Sequence, residues 1–538
     1  MSEGRRKRLT LIATILGSQV VFLDATVVNV ALPAIQEDLD TGLAGQQWVV
    51  EAYLLALVAL LLVGGSLGDL YGRRRLFMIG LAGFAVTSVL CAVAPSSELL
   101  IAARGLQGLA GALLVPGSLA ILTATFEGEE RGRAIGTWTA WSGIVTVIGP
   151  AGGGFLVESL SWRWVFWVNV PMIVATLYLA HRYVSESADP EACPGVDYFG
   201  IGLSALGLGG PVFALIQQPT HGWSDPMVLI PLVAGVACLV GFVIWEGRAR
   251  APMMPLSLFR VRNFAAANLA TLAAYAGLIG GFFFITLYLQ QVAGYSPFEA
   301  GLATTPVAVL LFVLSPRFGA LSARSGPRLP MTAGPIVAGI GMLLLLRVGV
   351  DADYVSEVLP GVFFFGLGLA ATVAPLTTTV LNAVEERHAG VASGINNAIS
   401  RVAGLVAIAA LGAAISAGFG SSLDDALAGE TLSPAERTAV ADAKSQPLAG
   451  DARGDLSPAE RAALEPAIRD SSHSAFQLGI GIAGGLMIAG GLISFAGVRN
   501  PRRPVEPQHA GRAATAGDCG HAAEPGEQPE PALEKAPA

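Results

Sequence analysis

The sequence predicts an all-α integral membrane protein, two six-helix bundles with an inserted two-helix hairpin and fourteen transmembrane helices in all. Of its 538 residues, 53% are hydrophobic and only 13% charged, against roughly 25% charged in soluble domains. The apolar residues fall into blocks of about twenty, the helix length that crosses a hydrocarbon core of about 30 Å; of the structures that satisfy every backbone polar group there, helices fit these lengths. A loop sequence also recurs in the two halves of the chain.

The elements follow in order. Arg5, Arg6, Lys7 and Arg8 precede the first apolar block, as in a signal peptide, but Asp24 interrupts the block and no small-residue cleavage site follows, so it is an uncleaved first span. Breaks at Gly, Pro or charge clusters place the spans near 9–31, 46–68, 76–94, 98–123, 134–157, 164–180, 198–217, 226–245, 264–292, 298–321, 329–346, 358–380, 390–417 and 474–498. The domains are then an N-terminus (1–8), a first bundle (9–180), the hairpin with its flanking loops (181–262), a second bundle (263–498) that includes an external loop (418–473), and a disordered tail (499–538).

Orientation follows from Lys and Arg, which collect in cytoplasmic loops. With the N-terminus inside, most of the 32 basic residues fall on the inner side, among them Arg73 to Arg75, Arg131, Arg133, Arg248, Arg260, Arg324 and Arg328. Five of the outer ones share the long loop, where the rule weakens. Both termini are therefore expected in the cytoplasm of a bacterial-type cell, with the chain multi-pass in its inner membrane.

The repeat supports two related bundles, as in many transporters. Gly65-Ser-Leu67-Gly-Asp69-Leu-Tyr-Gly72-Arg73-Arg74 follows span two, and Gly319-Ala-Leu321-Ser-Ala323-Arg-Ser-Gly326-Pro-Arg328 follows span ten. In the external loop, Leu432 to Arg437 and Leu456 to Arg461 both read Leu-Ser-Pro-Ala-Glu-Arg. Each has the Ser, Pro and Glu of a capping box, which predicts two short helices. Cys91, Cys193, Cys238 and Cys519 have neither paired spacing nor a CxxC, and suggest no disulfide framework or zinc site.

Energy supply narrows the chemistry. Only Lys7, Lys444 and Lys535 occur, and none completes a Walker A loop. Transport must then run on an ion gradient or downhill. Asp24 lies about fifteen residues into span one, roughly 22 Å along the helix. An acid at that depth costs on the order of 2.5–3.5 kcal/mol on insertion scales, which makes function its default reading; burial also raises a carboxyl pKa, as a proton carrier needs. The alternative is a structural acid bonded to a neighbouring helix. Glu51 lies close to the outer end of span two and is either a relay member or a solvated acid. Asp69, between Gly65 and Gly72, can with Arg73 and Arg74 latch one conformation at the inner face, or the arginines can set topology alone. Ala323 replaces the Asp in the second copy, so its latch is expected to be weaker. Arg401, about 16 Å into span thirteen, either meets substrate or is satisfied by Asn396 and Asn397.

Four motifs together resemble the major facilitator superfamily, specifically its fourteen-span drug:proton antiporter branch. In span one Leu23-Asp24-Ala-Thr26-Val-Val-Asn29-Val-Ala-Leu32-Pro33 looks like the branch signature. Gly65 to Arg75 looks like the superfamily's loop motif, and Arg104-Gly-Leu-Gln107-Gly108 like its proton-transfer motif. Gly149-Pro150-Ala-Gly152-Gly153-Gly154 resembles the antiporter motif that importers generally lack.

The resemblance implies proton-coupled efflux of small hydrophobic or aromatic compounds, an antibiotic among them, by alternating access. Asp24, Arg104 and Glu51 would couple protons; for Arg104 the alternatives are an ion pair within the bundle and an arginine reaching a membrane face. Packing alone would suffice to explain the glycines of span five. Candidate substrate contacts are Asn29, Gln107, Trp138, Trp141, Phe284, Tyr288 and Arg401. The expected partners are a small-molecule drug or antibiotic, protons and the lipid bilayer, with no nucleic acid, and the chain is expected to act as a monomer. No cofactor or metal is expected, only the proton gradient. A nutrient importer and a non-transporting membrane receptor are the competing readings; no HExxH or GxSxG supports an enzyme.

Overall fold

A computed structural model describes residues 3–188, 197–249, 252, 254–350, 352–384, 389–452 and 456–500. At 62–66, 69, 128–129, 132–133, 136, 139–140, 142–144, 146–147, 323 and 389–390 it describes the helix but not the side chain. The surroundings of Gly65, the side chains of Asp69 and Ala323, and the tail beyond Asn500 therefore lie outside the described residues.

The first bundle comprises α1 (Glu3–Leu39), α2 (Leu43–Tyr71), α3 (Arg73–Ala92), α4 (Ser97–Thr125), α5 (Gly128–Ser159) and a sixth span made of α6 (Trp164–Trp167) and α7 (Asn169–Tyr183). The hairpin is α8 (Tyr198–His221) and α9 (Pro226–Glu246). The second bundle comprises α10 (Arg262–Gln291), α11 (Pro297–Ser325), α12 (Arg328–Leu344), α13 (Leu359–Asn382), α14 (Ala389–Ala426) and α16 (Pro458–Gly497), with α15 (Pro434–Ser445) outside the spans. Among the described residues 13 helices are long and apolar enough to cross a membrane. The 32-residue α5, packed between α1 and α11, completes fourteen.

Side-chain chemistry sets the helix ends. Ser296 caps α11 with a reciprocal Glu299 box and Pro297 in the first turn; Asp225 caps α9 ahead of Pro226. The two repeated loops turn on glycines with left-handed backbones, Gly72 at φ 102° and Gly326 at φ 86°, where a side chain would be strained.

Helix pairing repeats between halves. α2 packs on α4 as α11 packs on α13, α1 on α5 as α10 on α14, and α3 on α7 as α12 on α16. Contacts between halves keep the same symmetry, α5 against α11 and α2 against α14. The hairpin stands apart from this pattern. α8 leans on α2 and α14, whereas only 11% of the apolar window of α9 is buried, so most of its apolar surface lies on the outside of the molecule.

The external loop differs from expectation. The first capping box opens α15, a short helix. The second, at Ser457, opens α16 itself, which continues for 40 residues into the last span with Pro466 accommodated inside it. No Gly lies between that cap and the span, and the polar run Arg469 to Ser474 stays helical. Between the two helices the chain folds inward. Leu448, Ala449 and Ala452 are buried, and Gln446 accepts a hydrogen bond from Gln36 of α1 at 2.6 Å. Gln36 Oε1 in turn accepts from Gln46 of α2 and Gln291 of α10. The loop thus closes off this end of both halves.

Candidate functional site

Asp24 is fully buried midway along α1; α4 and α7 supply polar groups to its carboxylate, and α2 and α3 hold those groups in turn. Arg104 Nη1 of α4 forms an ion pair with Oδ2. Gln107 Nε2 and Asn169 Nδ2 each donate to Oδ1 at 3.0 Å. Arg104 and Gln107 are three apart on one face of α4, so the guanidinium also reaches Gln107 Oε1 at 2.7 Å. Its Nε donates to the Val49 carbonyl of α2 at 2.9 Å. From α3, Ser88 Oγ accepts from Gln107 at 3.0 Å and from Asn169 at 3.4 Å. The Tyr53 ring lies 4.3 Å from the guanidinium, a cation–π contact, and its hydroxyl donates to Val21 O at 3.3 Å.

This arrangement makes the charge state of the site a structural variable. Two buried opposite charges that satisfy each other's hydrogen bonds are tolerable, whereas removing one leaves the other uncompensated at about 3–5 kcal/mol. A proton arriving on Asp24 therefore cannot leave Arg104 where it is without cost.

Glu51 belongs elsewhere. Close to the outer end of span two, a solvated acid was one expectation, but it is 0% exposed and neither carboxylate oxygen has a hydrogen-bond partner among the described residues. On the same face of α2, Trp48 packs on Phe213 of α8 with ring centroids 5.7 Å apart. Leu55 lies against Gly209 of α8, and Gln47 donates to Ile408 O of α14 at 2.7 Å. The inserted hairpin covers this face, so Glu51 sits at the seam of α2, α8 and α14, across α2 from the Asp24 cluster.

At the inner loop the partner of the arginine run is one the sequence did not suggest. Glu186, just beyond α7, accepts from Arg74 N at 3.0 Å and Arg75 N at 3.2 Å, capping α3 with a negative charge. Arg73 N donates to Ser187 O at 2.9 Å, and a side chain on Gly72 would lie 2.8 Å from Glu186 Oε1. The second copy uses the equivalent place in its own half. Asn500, just beyond α16, accepts from Arg328 N at 3.1 Å, and a side chain on Gly326 would meet it at 2.4 Å. The first half thus uses a charged cap and the second a neutral one.

The span-five glycines hold two neighbours close. A Cβ on Gly149 would meet Thr26 Oγ1 at 2.2 Å, and one on Gly153 would meet Val27 at 2.8 Å, both on α1. One on Gly154 would strike the Pro297 carbonyl of α11 at 2.3 Å, while Gly152 meets nothing nearer than 3.9 Å. Pro150 O faces Gly301 of α11 in turn. The motif is therefore a packing surface that joins the two halves where α5 ends and α11 begins.

Of the candidate substrate contacts, the structure brings only Gln107 into the Asp24 cluster. Asn29 has a buried Oδ1 without a partner among the described residues, as does Arg401 at Nε. Asn396 does not serve Arg401; it donates to Asn268 at 3.0 Å and Thr271 at 2.8 Å on α10. Trp138 packs edge-on against Phe22, and Trp141 is 48% exposed. Phe284 and Tyr288 lie in the core of the second bundle, Phe284 against Phe283 and Tyr288 stacked 3.8 Å from Phe476. Asn169, Ser88 and Tyr53 are the site residues that sequence reasoning missed; a lone Asn inside an apolar span was the available signal.

Known proteins resemble the chain in sequence and in fold. The sequence profile of the Major Facilitator Superfamily matches residues 14–408. The chain is 38% identical over 443 residues to the multidrug resistance protein Stp of Mycobacterium tuberculosis, covering 82% of this chain and 81% of that one. It is 35% identical over 477 residues to the tetracenomycin C resistance and export protein of Streptomyces glaucescens, 88% of each chain. Among solved structures, a bacterial homologue of the human lysosomal transporter Spinster superposes with a TM-score of 0.60 at 17% identity, covering 92% of this chain and 99% of that one.

Proposed function

The chain belongs to the Major Facilitator Superfamily, and from that premise we propose that it exports a small hydrophobic or aromatic compound of the antibiotic class in exchange for protons. Its relatives at 35–38% identity are named for multidrug resistance and for tetracenomycin C resistance and export, which supports export over nutrient import. The observation that carries proton coupling is the buried Asp24–Arg104 pair at the centre of the first bundle. Protonating Asp24 strips Arg104 of its counter-charge in a low-dielectric site, so proton binding favours a different arrangement of α1 and α4, one that rehydrates or re-pairs the guanidinium. Releasing the proton on the other side restores the pair. Each charge moved through 100 mV supplies about 2.3 kcal/mol.

In this reading the cytoplasmic face carries both termini and the Gly72 and Gly326 loops, and the outer face carries the α15 loop. Glu51 is a second acid able to take a proton, on the hairpin side of α2. Gln107 and Arg401 meet the transported compound. Purified protein in vesicles, loaded with ethidium and given an imposed pH difference, tests the coupling. Asp24→Asn is expected to lower gradient-driven movement at least tenfold while its downhill movement persists. Gradient-driven movement at the parent rate in that variant refutes the assignment.

A further inference from the structure

We propose that the inserted hairpin holds an anionic phospholipid of the membrane, with an acyl chain in the space between it and the two bundles and the headgroup on the arginines at its foot. A cavity of about 510 Å³ lies there, walled by Val58 of α2, Leu208 of α8, Phe242 of α9, Leu269 of α10 and Ile399 of α14. It is distinct from the Asp24 site, from which α2 separates it.

The lining determines the class of occupant. Its two polar side chains are already engaged: Ser204 Oγ donates to Ile201 O at 3.0 Å, while Asn268 donates to Phe264 O at 2.9 Å and accepts from Asn396. The remaining wall is hydrocarbon, with no free polar group to fix the orientation of a transported compound. A recess of this size, open on one side, would forfeit dispersion contacts along its walls if unfilled. α9 faces the bilayer across most of its surface, so acyl chains are the material at hand.

The foot of the hairpin determines the headgroup. Met254 and Phe259, from the segment joining α9 to α10, close the cavity at that end. Glu246 draws this segment inward by accepting from Met254 N at 2.9 Å. The same segment presents Arg248 and Arg260, both exposed and in no ion pair among the described residues. Arg262 is committed to the Ala496 and Gly497 carbonyls. The nearby acid Asp197 is occupied by Gly200 N and by Trp245 Nε1 at 2.7 Å. Basic groups beside an apolar recess between helices match an anionic headgroup above a buried chain. Only the leaflet, the cytoplasmic one, rests on the orientation given under the proposed function.

Delipidated protein titrated with dioleoyl phosphatidylglycerol or dioleoyl phosphatidylcholine under native mass spectrometry tests this without any transport, so its outcome is independent of export. The parent is expected to bind the phosphatidylglycerol at least tenfold more tightly. The exposed double change Arg248→Gln/Arg260→Gln should reduce that preference to threefold or less. Ala398→Phe, which fills the cavity, should weaken both lipids at least fivefold at an unchanged melting temperature. Equal binding of the two lipids by the parent overturns the proposal, as does retention of the preference in the arginine variant. Displacement of the phospholipid by equimolar ethidium would assign the cavity to transported compounds instead, and would also overturn it.

Discussion

At Arg104 one guanidinium meets an acid, an amide, a backbone carbonyl and an aromatic ring, and this sets apart its roles in folding and in transport. Arg104→Gln leaves Asp24 buried beside a neutral group, so the purified variant should lose about 3–5 kcal/mol of stability, read as a lowered melting temperature. Asp24→Asn/Arg104→Gln removes both charges and should melt close to the parent, yet show no export driven by a pH difference. A double variant as unstable as Arg104→Gln alone would mean that the pair's net charge is not what the fold balances. The sequence made Asp24 and Arg104 legible because ionisable groups inside apolar blocks are conspicuous. Asn169, Ser88 and Tyr53 were not, because a small polar or phenolic residue in a span acquires meaning only from what faces it on another helix. Glu51 shows the converse. It was conspicuous, but its burial depends on α8, an element whose docking face no local pattern in α2 reveals.

At the scale of helices, nearly every span was legible, since block length and breakers determine it. The exception in the outer loop, where α16 absorbs the second capped helix, arises because a cap specifies where a helix starts and leaves its end to later residues. The glycine run of α5 shows the limit of motif reading at this scale. Four glycines look equivalent in sequence, but only three face a neighbour closely. Gly154→Ala would place a methyl group 2.3 Å from the Pro297 carbonyl and force α5 and α11 apart. Its export rate, normalised to the amount of protein in the membrane, should fall at least tenfold. Gly152→Ala meets no other helix and gains helix propensity of roughly 1 kcal/mol; its rate should stay within twofold of the parent. Equal losses in the two variants would show that the motif acts through backbone flexibility and not through contact between the halves.

Across the whole molecule, the symmetric pairing of helices supplies two bodies that can rock about the α5–α11 and α2–α14 contacts, and the loop around α15 breaks that symmetry on one side. Gln36, Gln46, Gln291 and Gln446 bring α1, α2, α10 and the loop together, and buried Leu448 and Ala452 join the apolar cluster shared by both halves. Amide–amide hydrogen bonds are individually modest, about 0.5–1.5 kcal/mol each, so such a seal can open within a transport cycle where a fully hydrocarbon seam of the same area would resist. If alternating access requires it to open, then tying the loop to α2 must halt export. Gly42, at the start of α2, offers the position, since a Cβ there would lie 3.8 Å from that of Ser445, the mean separation in a disulfide. That Cβ would also sit 2.7 Å from the Ser445 carbonyl oxygen, so the backbone around Ser445 must shift for the bond to form. Oxidised Gly42→Cys/Ser445→Cys should export at no more than a tenth of the rate of the same variant reduced, with Ser445→Cys alone behaving like the parent. Full export by protein whose cross-link is verified by mass would mean that the loop stays in place while the transported compound leaves by another route.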